Sequence, residues 1–347
     1  METALDALTA LTRRYAFAEV AALVAEGAGG RLSTPDLAQV QQLCAFGQRL
    51  LDLDAEDFGD ADAATDANVE TAIAARVDGG EVPADLRERA LACRMPQSPG
   101  ERHRGALGSL LPGYRLLLEV IAARFHRRET TAVVAAVHIA SEYAPLLVWE
   151  RVLGHAADPV LLPDVVGGDG SSWGDLDDRN CRHTKPEKSA AKRVLAVARE
   201  NAMGWRAYLD RQHSNVSHAL AVCAVQCAKP CAVYLRLDDT AAGIVRAGCR
   251  LALLLNDSPI VRLRHSAPVG HGFGVPSRPE LLEAWERSRR SLARFAPVVA
   301  EEDDFALPGF LQLVSALAGQ PMVPDTLLAD TAAGVSALLA GGSPARA

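Results

Sequence analysis

The chain has almost no lysine. Four of its 347 residues are lysine, all between positions 185 and 229, whereas 32 are arginine. Aromatic side chains are also scarce, at 5%, and they do not interleave with the arginines. No zinc-finger, RNP-type or Gly-rich KH-type signature is present. These shortages argue against nucleic acid as a partner.

No uninterrupted apolar run reaches the roughly 18 residues that a membrane span needs. The N-terminal stretch METALDALTALTRRYAF lacks the pattern of a signal peptide. The expectation is a cytoplasmic chain without membrane association. The seven cysteines, an odd number scattered over a long chain, do not make a disulfide framework. Alanine, arginine and valine in place of lysine fit a bacterial protein from a GC-rich genome.

What is present is a large apolar fraction, 49%, and a divided charge. Residues 179–294 carry a net charge of +11 and the remainder −18. A basic block inside an acidic protein should face something anionic.

Nearly every periodic segment reads as helix, so the predicted fold is all-α, a multi-helix globular bundle. Ser33, Thr34, Pro35 and Asp36 form a helix start that leads to about Leu53. Helices are expected near 68–77 and 84–94, from Gly105 to His126, and from Thr130 to Leu153 with a bend or break at Pro145. A long irregular loop follows, near 156–180, of a length that is often functional. Thr184-Lys185-Pro186-Glu187 matches a capping box, and its helix is expected to reach Arg211. Further helices fit 216–228, 239–255, 279–295, 307–318 and 325–340, with Ser277 and Glu280 as a second box. The short segments 160–162 and 261–263 are the strand candidates. This gives a helical N-terminal region at 1–95, a main helical domain at 105–340 holding the basic block, and a disordered tail at 341–347.

Three of the four lysines, Lys185, Lys188 and Lys192, are spaced three and four apart, on one side of a helix. Arg179, Arg182 and His183 lead directly into that helix start, where unpaired backbone N–H groups favour an anion. Lysine adds a compact charge whose proton is lost when the group is desolvated. Arg206 extends the basic face, and Arg262 and Arg264 add to it from farther along. The stretch His213-Ser214-Asn215-Val216-Ser217-His218 reads as a polar junction between two helices, suited to a general base and substrate positioning. Glu142 stands in the otherwise apolar HIASEYAPLLVW, as a base or as a partner for an arginine of the block. Arg262-Leu263-Arg264-His265 and the glycines from Gly270 to Gly274 form a third polar stretch of low specificity.

The function these features support is a metal-independent biosynthetic enzyme of bacterial secondary metabolism, with no cofactor. His213 and Glu142 would move protons, with Lys188 and His183 beside the reacting anion. Arg179, Arg182, Lys185, Lys192, Arg206, Ser214, Arg262 and Arg264 would bind a sulfate-, phosphate- or carboxylate-bearing small substrate, free or carried on an acidic carrier protein. The reaction would be an elimination, an intramolecular cyclisation or a group transfer that releases an anion. A second subunit could complete the site, given so much apolar helix surface.

Two alternatives stand beside it. His138, Glu142, Asp210 and His213 could serve a helical di-iron oxygenase, although the usual Glu-x-x-His pair is absent. A non-catalytic helical protein could instead dock an acidic partner on the basic face. Cys223, Cys227 and Cys231 recur every four residues, but zinc sites use closer pairs and Pro230 interrupts. They are expected to be small core residues.

Overall fold

Helix starts in this chain are written in its capping residues. Ser33 is extended and its hydroxyl accepts from the Asp36 N–H at 3.3 Å, with Pro35 in the first turn. Both expected capping boxes form, Thr184 with Glu187 and Ser277 with Glu280. Asn201 and Asp238 each cap a helix that begins one residue later. Gly154 and Gly319 end helices in the left-handed conformation, at φ of 73° and 70°.

The computed structural model describes residues 2–30, 32–54, 82–168, 171–175, 181–265 and 274–341. The fold is all-α, with no strand among the described residues. The longer helices are α1 (Glu2–Thr12), α2 (Phe17–Ala25), α3 (Thr34–Leu51), α4 (Ala84–Cys93), α5 (Leu111–His126), α6 (Thr130–Leu153), α7 (Lys185–Val197), α8 (Ala202–Val225), α9 (Asp239–Asn256), α10 (Arg278–Leu292), α11 (Phe310–Ala318) and α12 (Leu327–Leu339). Single turns of helix lie at Gly105–Gly108, Leu162–Val166, Ala232–Leu235 and Pro259–Arg262.

Helix α6 is apolar nearly all round, which marks it as a core helix. It packs against α5, α8, α9 and α11. By length and composition it could cross a membrane, which corrects the expectation that no segment is apolar enough; in the fold, 61% of that stretch is buried. It runs unbroken through the buried Pro145, because its neighbours hold it in place.

Two apolar cores share α5. Its Tyr114, Leu117, Leu118 and Ile121 join the core of α6 to α11, while Leu116, Val120 and Ala123 join α1 to α4. The C-terminal α12 belongs to this second core and packs on α3. Arg89 of α4 fixes it there by hydrogen bonds to Asp325, Thr326 and Asp330.

Several boundaries differ from expectation, each for a local reason. The helix expected from Gly105 breaks at Ser109, where Glu150 of α6 accepts from the Ser109 hydroxyl and the Leu110 N–H at 2.5 and 2.8 Å. The helix expected to reach Arg211 stops at Val197, and Asn201 starts α8. Arg193 closes that turn onto Glu200 and the Gly204 carbonyl. His213 to His218 therefore lie in the middle of α8 and are not a junction. Among the described residues of the irregular stretch 156–180 there is one helical turn, and both strand candidates are turn or helix. The helix near 68–77, most of the glycine stretch 270–274 and the tail beyond Gly341 lie outside the described residues.

Candidate functional site

His138 and Glu142 lie one turn apart on α6, with His138 Nε2 3.2 Å from Glu142 Oε1. The helix is fixed on both sides of this pair. Ser217 of α8 donates to the Glu142 carbonyl at 2.7 Å, and Ser141 bonds Asn256 of α9 at 3.2 Å. Arg264, in the 3-10 turn Leu263–His265, directs NH1 at the same His138 Nε2.

One ring nitrogen cannot donate to a carboxylate and accept from a guanidinium at once. His138 therefore serves Glu142 or Arg264, and the other is left one hydrogen bond short. His138 Nδ1 is buried and has no hydrogen-bond partner among the described residues. The two side chains are 15% and 31% exposed, so a small molecule can reach the pair from solvent. Burial pushes the Glu142 carboxyl up, but the hydrogen bond and charge of His138, with Arg264 and His218 beyond, outweigh burial and hold it below the usual value. Glu142 is thus an ionised carboxylate at neutral pH.

His218 of α8 links this pair to the start of α7. Burial lowers its pKa, and the carboxylates of Glu187, Glu142 and Asp257 act against that fall. Glu187 and Lys188 are both buried. Glu187 closes the capping box by accepting from the Thr184 N–H at 2.6 Å, so the helix start already holds a carboxylate of its own. Lys188, one residue on, bears electrostatically on Cys181.

On the other side of the α7 start lies a group of thiols. His183 Nδ1 is 2.7 Å from Cys181 Sγ, and His183 Nε2 is 2.8 Å from the Ala219 carbonyl. The ligating atoms of Cys181, His183 and Cys227 all lie within 4.8 Å of one another. Cys223 Sγ accepts the Cys231 N–H at 2.9 Å beneath them. Burial pushes the Cys181 thiol up to about 11, and the thiols of Cys227 and Cys231 add to this. Trp173 meets the His183 ring edge to face at 6.4 Å.

An apolar cavity of about 220 Å³ adjoins α6, lined by Leu53, Met95, Leu117, Tyr114, Ile139 and Tyr143 among others. Ile139 and Tyr143 each follow a member of the His138–Glu142 pair by one residue.

The expected site residues divide accordingly. Glu142, His183, Lys188 and Arg264 stand on or beside these two clusters. Arg182, Lys185, Lys192, Arg206 and Arg262 are exposed, and Arg262 lies 3.9 Å from Asp257. Ser214 is half-buried on α8, and Arg179 lies outside the described residues. His213 is fully buried with Nδ1 3.3 Å from the Tyr208 hydroxyl. Burial drives its pKa down to about 4 against the pull of Asp158, so it is neutral at physiological pH. Asp210 is exposed, and the set His138, Glu142, Asp210 and His213 does not converge: among the described residues the one metal-competent group is Cys181, His183 and Cys227.

Sequence reasoning missed that group. Cys223 and Cys231 are core residues as expected, but Cys227 is half-buried. Helix α8 ends at Val225, which lifts Cys227 off the helical stripe and onto a turn. The spacing Cys181-x-His183 was the available signal. Comparison with protein-family models, with curated proteins and with solved structures finds no match.

Proposed function

We propose that the chain is a cytoplasmic bacterial biosynthetic enzyme that binds a small sulfate-, phosphate- or carboxylate-bearing substrate beside the His138–Glu142 pair. The observation that carries this reading is the shared nitrogen: His138 Nε2 faces both Glu142 and Arg264. An anion on Arg264 would take over the guanidinium, freeing His138 to donate to Glu142. Glu142 and Arg264 would then each have a partner, which gives the anion a reason to bind there.

Glu142, held ionised, is the general base that takes a proton from the substrate. The electron pair so released expels the anionic group, and Arg264 neutralises the charge that develops on it. His218 bears on the Glu142 carboxylate from α8. The apolar cavity along Ile139 and Tyr143 would take a hydrocarbon portion of the substrate. Elimination, ring closure and group transfer all share this proton-and-anion pattern.

The test is a thermal-shift and calorimetric titration of the protein with phosphate, sulfate, pyrophosphate and phosphorylated small molecules. At least one should stabilise the wild type and Glu142→Gln but not Arg264→Gln. If no anion stabilises the wild type, or Arg264→Gln responds equally, the reading is wrong.

A further inference from the structure

We propose that Cys181, His183 and Cys227 bind a single zinc-class metal ion, with a thiol of the buried Cys223–Cys231 pair completing a closed tetrahedral site. The inference does not depend on the proposed reaction.

Around one tetrahedral zinc with Zn–S bonds of about 2.3 Å, neighbouring sulfurs stand about 3.8 Å apart. The three ligating atoms here lie within 4.8 Å of one another, so one ion fits among them after a small contraction. Thiolate and imidazole together select soft or borderline metals over magnesium or calcium.

The histidine supplies an independent observation. A ligating imidazole must present a lone pair, and its other nitrogen then normally donates to a carbonyl or carboxylate. His183 does this: the Ala219 carbonyl at 2.8 Å from Nε2 fixes the proton there, and Nδ1 keeps its lone pair toward Cys181. That carbonyl belongs to the middle of α8, so the orientation is imposed by the helix and not by a mobile side chain. The Ala219 bond and the edge-to-face Trp173 ring both hold the His183 imidazole.

On binding, each ligating thiol gives up its proton and the metal takes the sulfur lone pair, with no change of oxidation state. The ion would tie the residues just before α7 to the turn just after α8. Glu187 and Lys188 lie in the first turn of α7, so the metal would also fix where those side chains stand.

The experiment uses the whole chain without a histidine tag, stripped of metal, reduced with a phosphine and kept anaerobic. Cobalt(II) is titrated in and then displaced with zinc. One equivalent should bind with a near-ultraviolet thiolate charge-transfer band and visible bands of tetrahedral cobalt, with an intensity that matches three thiolates. Cys227→Ser and His183→Ala should each weaken binding by at least about tenfold, while Cys44→Ser, in the other core, should leave it unchanged. Absence of the charge-transfer band, or its persistence in both site variants, overturns the proposal. A two-thiolate intensity overturns the closed tetrahedron. Should the variants fail to fold, alkylation of the wild type decides: zinc must protect Cys181 and Cys227 but not Cys93, and equal labelling with and without zinc overturns the site.

Discussion

Glu119 of α5 accepts the backbone N–H groups of Leu328 and Ala329, at 3.1 and 3.0 Å, and so caps a helix 209 residues farther along the chain. Helix α12 has no side-chain cap at its own Thr326. Its first-turn donors would otherwise be orphans inside the second core. The arrangement keeps a carboxyl group in an apolar place. Burial pushes its pKa up to about 7, helped by Asp325 and Asp330, while the two N–H bonds pull the other way.

A raised carboxyl pKa makes the fold bind a proton more tightly than the unfolded chain does, from a starting value of 4.5. Its contribution to stability is complete below pH 4.5 and is lost as pH rises through 7. Glu119→Gln should remove this contribution, worth a few kcal/mol at most. Denaturant midpoints measured from pH 4 to 8 should then fall more steeply on acidification than those of the wild type. An unchanged slope would show that Glu119 does not titrate in this range.

His213 acts with the opposite sign. Its pKa falls from 6.5 to about 4 in the fold, so its contribution is present above 6.5 and disappears as pH falls through 4. Burial moves His155 and His218 in the same direction. Between pH 4.5 and 6.5 Glu119 opposes the histidines, so wild-type stability should fall on acidification by less than the histidines alone would cause. His213→Gln should tilt the profile toward greater relative stability in acid, read by the same midpoints. It should also lower stability at neutral pH by roughly 1–3 kcal/mol through loss of packing and of the tyrosine bond.

Arg104 and Asp158 form a two-pronged pair, with both N–O distances 2.7 Å and the aspartate 1% exposed. Arg104→Met leaves that carboxylate buried and uncompensated, and should cost about 3–5 kcal/mol. The double variant with Asp158→Asn should cost less than the two single changes together. Chemical denaturation in a double-mutant cycle measures the difference, and strict additivity would show that the two residues do not couple.

Gly174, at φ +75°, lies directly on α7: a Cβ there would stand 2.6 Å from the Lys192 nitrogen. Gly174→Ala should push residues 171–175 off the helix and take Trp173 away from His183. The left-handed backbone alone costs roughly 1–2 kcal/mol. Limited proteolysis should cut this segment several-fold faster than in the wild type, and equal rates would refute the contact.

The helix starts were legible because capping is local: Ser33, Thr184 and Ser277 each act within three residues. Breaks imposed from afar were not. Nothing near Ser109 announces that Glu150 will take its hydroxyl, and nothing near His213 shows that α8 runs on through it. The site was half legible for the same reason. Glu142, Lys188, His183 and Arg264 stood out as polar groups in telling places, whereas the meeting of Cys181 with Cys227 depends on how α7 folds back onto α8. The exposed lysines and arginines supplied most of the charge pattern and little of the geometry.

Helix α12 completes a core that α1, α2 and α3 begin. During synthesis α12 leaves the ribosome well after those three helices, about 275 residues later than the end of α3. At ordinary rates of translation the delay is on the order of tens of seconds. Leu43 of α3, which meets Gly334 of α12, meanwhile lacks the surface that will cover it. That apolar face stays open until α12 docks, with its first N–H groups on Glu119.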